Sequence, residues 1–277
     1  MKKKTIQSAA IIVILAAVLV LLSELGIVSA SKLLIVQYIG IYSIMVLGVN
    51  VVNGYMGIFS LAHAGFMAIG AYAGALSSRY LFTSAYMFPL ALLAGGIASM
   101  CVGLLVAVPS FKSKGDYLAI ITLGFTLMVQ SIFQNAEIVG ASRGMNNIAK
   151  YTNIYWVFGV LVIAIILVNR FIRSKYGRCL KAIREDQVAA QLVSVNVRKA
   201  KTVAFALSAF LIGVSGALFC HLLGYTSPSS YGYTNVVDGL VMVYVGGTGS
   251  ITGSVTGAAI WQILVQVLKD LGTWRWV

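Results

Sequence analysis

The stretch GYMGIFSLAHAGFMAIGAYAGAL, residues 54–76, places one imidazole, His63, among glycines, alanines and large apolar side chains, with no acid or base beside it. A neutral imidazole both donates and accepts a hydrogen bond. His63 could therefore transfer a proton, hold a small molecule, or join two carbonyls or hydroxyls, with Ser60 set a helical turn away. Proton transfer lacks its usual company. The sequence holds no HExxH or GxSxG motif, no paired carboxylates, and only one other histidine, His221, far along the chain. The glycine-rich GGTGSITG at 246–253 lacks the lysine of a phosphate-binding loop and sits between apolar segments, so it does not read as a nucleotide site. Cys101, Cys179 and Cys220 show no CxxC spacing, so neither a disulfide nor a metal framework is indicated. They read as small buried hydrophobes.

Composition sets the elements that must carry these residues. Of 277 residues, 60% are hydrophobic and 10% charged, with a mean hydropathy of +0.93, whereas a soluble domain carries about 25% charged residues. The excess must face lipid, and it falls in blocks of the roughly 20 apolar residues that a membrane helix needs. These run at about 9–29, 33–52, 56–78, 85–108, 117–135, 153–172 and 202–222, followed by a weaker region at 239–268 that glycines interrupt. Barrel strands alternate apolar and polar side chains; these blocks are apolar all round, and helices then satisfy every backbone amide in lipid. The expected fold is an all-α integral membrane protein, a polytopic bundle of about 8–9 membrane elements with interrupted helices, forming a single transmembrane domain over residues 1–277. The first block reads as a retained helix, being longer than a signal-peptide core.

Cations fix the expected orientation, because Lys and Arg flanking short loops stay in the cytoplasm. Lys2, Lys3 and Lys4 put the N-terminus inside. Threading seven helices then makes Lys112 and Lys114 cytoplasmic, 136–152 external and 173–201 cytoplasmic. The last loop carries Arg173, Lys175, Arg178, Lys181, Arg184, Arg198, Lys199 and Lys201 against Glu185 and Asp186, so the net charge of +13 is mostly a topology signal. The bilayer is thus the partner it implies, and nucleic acid need not be invoked. Within this loop Val188, Ala189, Leu192 and Val195 share one helical face, and Asp186 is placed to cap the helix start. From the residues alone, that short helix either fits a partner's cleft or rests on lipid headgroups.

Three function classes separate on these features. A membrane enzyme would cluster ionisable groups at one face, and none are clustered. An ion-coupled carrier of a small polar solute needs intramembrane ligands, although each buried charge costs roughly 2.5–3.5 kcal/mol. Here Glu24 falls near a helix end, and Glu137 and Asp238 fall at expected loop edges. The third class is a conduit driven by a separate ATPase that grips the cytoplasmic loop.

Five stretches in order resemble the permease subunits of branched-chain amino-acid ABC importers, the LivM-like member in particular. They are Gly54, Gly57, Ser60, His63 and Ala64; GDYLAIITLGF at 115–125; SRGMNNI at 142–148; GRCLKAIREDQVAA at 177–190; and GGTGSITGSVTGA at 246–258. The resemblance implies a bacterial inner-membrane permease of ABC-importer type that pairs with a LivH-like permease. It also implies two ABC ATPase subunits that bind the ATP, and an external solute-binding protein delivering Leu, Ile or Val. No cofactor is expected on this chain. By likeness, 177–196 is the ATPase-coupling region, carried by Arg178, Lys181, Arg184, Glu185, Asp186, Ala189, Ala190 and Leu192. Val188 and Ser194 depart from the older coupling pattern, where Glu and Gly are usual. Similar proteins continue past LGTWRWV into a further apolar helix and a basic tail, whereas this chain ends at Val277.

Small residues four apart, Gly70 with Gly74 and Gly249 with Gly253 and Gly257, allow close helix approach. Breaks are expected at Asn53-Gly54 and Gly246-Gly247, each followed by a serine among small residues, Ser60 and Ser250. Ser60, His63, Gly54, Gly57, Gly246, Gly247, Gly249 and Ser250 are accordingly candidate pathway or helix-packing residues. The coupling segment is expected to act as a lever on the helices at 56–78 and 239–268. His221, with Tyr225, Tyr231 and Tyr233 after it, is expected at the outer interface.

Overall fold

The computed structural model describes residues 30–82, 84–111 and 116–270. The expected first helix at 9–29, the N-terminal lysines, Glu24, Lys112, Lys114 and the LGTWRWV end lie outside the described residues. Every element named among them is helical; one isolated bridge joins Met145 and Thr226. The main helices are α1 (Ala30–Asn50), α2 (His63–Tyr80), α3 (Phe88–Ser110), α4 (Asp116–Asn135), α5 (Ile154–Arg173), α6 (Lys175–Glu185), α7 (Gln187–Leu192), α8 (Val197–Leu223), α9 (Tyr233–Gly246) and α10 (Ile251–Asp270). Six stretches, carried by α1, α3, α4, α5, α8 and α10, are long and apolar enough to cross a bilayer. This is an all-α polytopic membrane protein. At 14 residues, α9 rises about 21 Å, less than the roughly 30 Å of a hydrocarbon core.

Burial separates an axis from a periphery. About 72% of the α1 and α8 spans is buried, against 33% for α4 and α5 and 28% for α10. α8 packs against α2, α3 and α1. The contact with α2 is backbone on backbone: a methyl on Gly70 would strike the backbone of Gly213, and one on Gly216 the Met67 carbonyl. Serine hydroxyls bond between helices as well, Ser99 of α3 to the Phe66 carbonyl of α2 and Ser208 of α8 to the Gly48 carbonyl of α1, each at 2.7 Å. Lipid provides no hydrophobic drive between helices, so this close packing and these bonds hold the bundle.

Local chemistry explains where the elements depart from the apolar blocks. α2 starts at His63 rather than 56, because the chain before it is irregular and borrows side chains: Leu61 N–H donates to Thr122 Oγ1, and Thr126 Oγ1 donates to the Leu61 carbonyl, both at 2.9 Å. Ser60 is therefore not a helical turn from His63. α8 starts at Val197, before the expected 202, where Asn196 accepts the Lys199 amide at 2.9 Å. α9 starts at Tyr233, ahead of the expected 239, which puts Asp238 inside a helix and not at a loop edge. Cys101 is exposed, contrary to expectation, while Cys220 is buried.

The loops gather at two opposite ends. Residues 51–57, 173–196 and 247–250 meet at one end; at the other, Met145 and Thr226 exchange backbone hydrogen bonds of 2.8 and 3.1 Å. The expected external 136–152 and cytoplasmic 173–201 segments thus lie at opposite ends of α5. Gly70→Val should cost about 1–3 kcal/mol by overpacking and lower the thermal midpoint of the purified protein. Gly159→Val, at a site with nothing within 4 Å, should leave that midpoint unchanged.

Candidate functional site

Two helix breaks meet at a single polar residue, and a basic arm reaches the same place. α1 ends at Asn50 and continues as a π-helical turn, Val51–Tyr55. The Asn50 side chain, 1% exposed, spans to the α9–α10 break. Its Oδ1 accepts the Gly249 amide at 2.8 Å, while Nδ2 donates to the Ser250 carbonyl at 2.9 Å and to Ser254 Oγ at 2.7 Å. Ser250 Oγ in turn accepts the Gly253 amide at 3.1 Å, capping α10. Gly249 takes φ +79 to make this turn, a conformation that glycine adopts without strain. α9 and α10 cross where Gly246 and Gly253 meet backbone to backbone, leaving no room for a methyl on either.

The arm reaches the same node. α6 buries Leu180 and Ile183 beneath it, which turns Arg184 toward the breaks. Arg184 Nη1 donates to the Gly54 carbonyl at 2.7 Å. Its stem covers Gly57, whose φ is +69, and its guanidinium lies beside Gly249. A guanidinium has five donors in a planar fork and no acceptors, which suits it to free carbonyls at a helix end. After α6 the chain turns at Asp186, whose Oδ1 accepts the Val188 and Ala189 amides at 2.7 and 3.1 Å, starting α7. Ala190 is buried, whereas Val188, Leu192 and Val193 are 67%, 83% and 72% exposed, an apolar knob on the end of the arm. Lys201 Nζ donates to Gln187 Oε1 at 2.8 Å, tying α7 to α8. Lys181 and Glu185 are exposed, and Arg178 is held by the Arg173 carbonyl at 3.1 Å.

His63 lies deeper, at the start of α2. Its Nε2 is 3.0 Å from the Val236 carbonyl of α9; a carbonyl only accepts, so Nε2 carries the proton. Nδ1 is buried without a partner. The space beside the ring, lined by Asn53, Ser60, His63 and Ser208 among others, is ≈ 10 Å³, about the size of one water and too small for an amino acid. Asn53 exchanges bonds of 3.3 Å with Ser60, closing the loop that leads into α2. His221 is fully buried and not interfacial: its Nδ1 bonds the Ala217 carbonyl at 2.7 Å, and Nε2 meets Ser78 Oγ at 2.9 Å.

The structure therefore brings together Gly54, Gly57, Arg184, Gly249 and Ser250, with Gly246 and Gly247 adjoining. Ser60 and His63 sit apart, against α4 and α9. Asn50 and Asn53 are the residues sequence reasoning missed. Their signal is polarity alone, two asparagines at the end of an otherwise apolar block just before a glycine.

Interrupted helices buried in a polytopic bundle, with a basic arm fastened to the breaks, are an arrangement that membrane transport proteins use. The family model described as the branched-chain amino acid transport system permease component matches residues 31–276, and the chain belongs to that family. It is similar to the high-affinity branched-chain amino acid transport system permease protein LivM of Escherichia coli, 30% identical, and to LivM of Salmonella typhimurium, 28% identical. Each alignment covers 83% of this chain and 62% of the relative. The fructose import permease protein FrcC of Rhizobium meliloti is 28% identical over 69% of this chain and 59% of its own. The chain thus spans 62% of the length of the two LivM relatives. No solved structure matches it.

Asn50→Leu keeps the branched shape of the side chain but strands the Gly249 amide, whereas the Ser250 carbonyl still accepts from the Ser254 amide and hydroxyl at 3.1 and 3.0 Å. A loss of about 1–3 kcal/mol is expected for a stranded buried group, together with faster proteolysis at the α9–α10 break in the purified protein; an unchanged cleavage rate would count against the node.

Proposed function

We propose that this chain is the membrane-spanning subunit of an ATP-driven importer in the bacterial inner membrane, carrying branched-chain amino acids. It pairs with a LivH-like permease, two ATPase subunits bind and hydrolyse the ATP, and an external binding protein delivers the solute. The observation that carries the reading is the Arg184 latch, a direct bond between the arm and the break that follows α1. The names of the relatives supply the solute class.

In this cycle the ATPase clefts receive the α7 knob, Val188 and Leu192. Closure of the ATPases displaces α6 and α7 as one body, because Asp186 joins them and Leu180 and Ile183 anchor them. Arg184 passes that displacement to Gly54, and Asn50 passes it on to Gly249 and Ser250. The ends of α1, α9 and α10 then shift together, and α2 follows through the loop that leads into it. His63 serves as the bond that keeps α2 on α9 during the shift. A branched-chain amino acid has a charged head and an apolar tail, so a weakly polar passage releases it readily, and selectivity rests with the binding protein. The outer-end loops at 142–148 and 223–232 offer that protein its docking surface.

In proteoliposomes holding the complete complex, Arg184→Glu should cut leucine uptake roughly tenfold while all subunits still co-purify. Leu192→Glu should instead reduce recovery of the ATPase subunits. Uptake that persists without ATP and collapses with the proton gradient would show an ion-coupled carrier and overturn the reading.

A further inference from the structure

The outward face of α9 differs in chemistry from the other exposed helix faces. α3 exposes Leu93, Ile97 and Leu105, and α10 exposes Ile260, Ile263 and Val267. α9 exposes Tyr233, Thr234, Val237 and Tyr244 in helical register, with the half-buried Asp238 among them. Eight residues of α9 follow Asp238, and the helix YTNVVDGLVMVYVG contains no lysine or arginine. A carboxylate at that depth is expensive against lipid tails and marks a solute path or a paired charge.

The groups around it are acceptors. Asn235 lies one turn earlier on α9 and is 7% exposed. Its Nδ2 donates to the Ser230 carbonyl at 3.2 Å, while its Oδ1 is buried with no partner. α1 packs against α9 beside these residues. A carboxylate and an orphaned amide oxygen one turn apart are both acceptors, and the ligand that matches them brings N–H donors and a positive charge. Tyr244, farther along α9, meets Phe59 of the segment before α2, with ring centroids 6.5 Å apart and exposures of 53% and 44%. They offer an apolar surface beyond the charge.

We propose that Asp238, with Asn235, receives the primary ammonium group of the transported amino acid, and that the outward face of α9 lines its path. The assignment rests on the amino-acid import reading above. It gives the passage one transient charge contact, while His63, closed in by α9, is left to packing.

The test compares wild type, Asp238→Asn and Asp238→Glu in the complete complex in proteoliposomes, recording ATP-dependent leucine uptake, ATP hydrolysis and subunit recovery. The proposal expects Asp238→Asn to lose roughly tenfold in uptake, as for a charged hydrogen bond, while hydrolysis and subunit recovery hold, and Asp238→Glu to restore most of the loss. Unchanged uptake in Asp238→Asn would overturn it. So would loss of the second permease from the purified Asp238→Asn complex, which would mean the carboxylate pairs with a cation of that subunit. Wild-type vesicles that take up no amino acid with ATP present would instead sink the import reading itself.

Discussion

A helix that breaks inside an apolar layer frees amides and carbonyls that lipid cannot satisfy, and this bundle meets that constraint with one buried amide. Asn50 accepts from Gly249 and donates to Ser250 and Ser254, so the end of α1 stands in for the missing turn between α9 and α10. An amide side chain can do this because it presents donors and an acceptor at once. The consequence is mechanical: two breaks far apart in sequence become one unit.

That unit is where the arm takes hold. Arg184 satisfies the Gly54 carbonyl and lies over Gly57 and Gly249, glycines whose positive φ lets the backbone approach the guanidinium. The rest of the bundle is closely packed, with α8 pressed to α2 through Gly213 and Gly216 and stitched to α1 by Ser208, while Ser99 ties α3 to α2. A packed axis beside a hinged set of helix ends is the arrangement that the proposed import cycle needs. Asp238 then places the one charge within α9 on the face that the bundle leaves uncovered.

The long spans were legible because about 20 apolar residues in a row have few other fates, and the arm because Asp186 and the Val188–Leu192 spacing announce a capped amphipathic helix. The irregular parts were not. Residues 56–62 are as apolar as a helix, yet they form an irregular segment in which Thr122 and Thr126, on another helix, complete the hydrogen bonds of Leu61. Asp238 looked like a loop residue because glycines at 232 and 239 flank it. His221 looked interfacial because nothing local reveals that Ser78, far earlier in the chain, waits to pair with it. Single polar residues in apolar blocks carry no periodicity, so Asn50 gave no sign of its partners.

The central claim, that arm and helix ends travel as one body, is tested most directly by replacing the latch with a covalent one. The ideal Cβ of Gly57 lies 3.4 Å from Arg184 Cβ, close to the span a disulfide bridges. In a Gly57→Cys/Arg184→Cys double variant with Cys101 and Cys179 changed to serine, ATP-dependent uptake should be low when reduced and recover on oxidation. Uptake that oxidation abolishes, or leaves as low as before, would contradict the account.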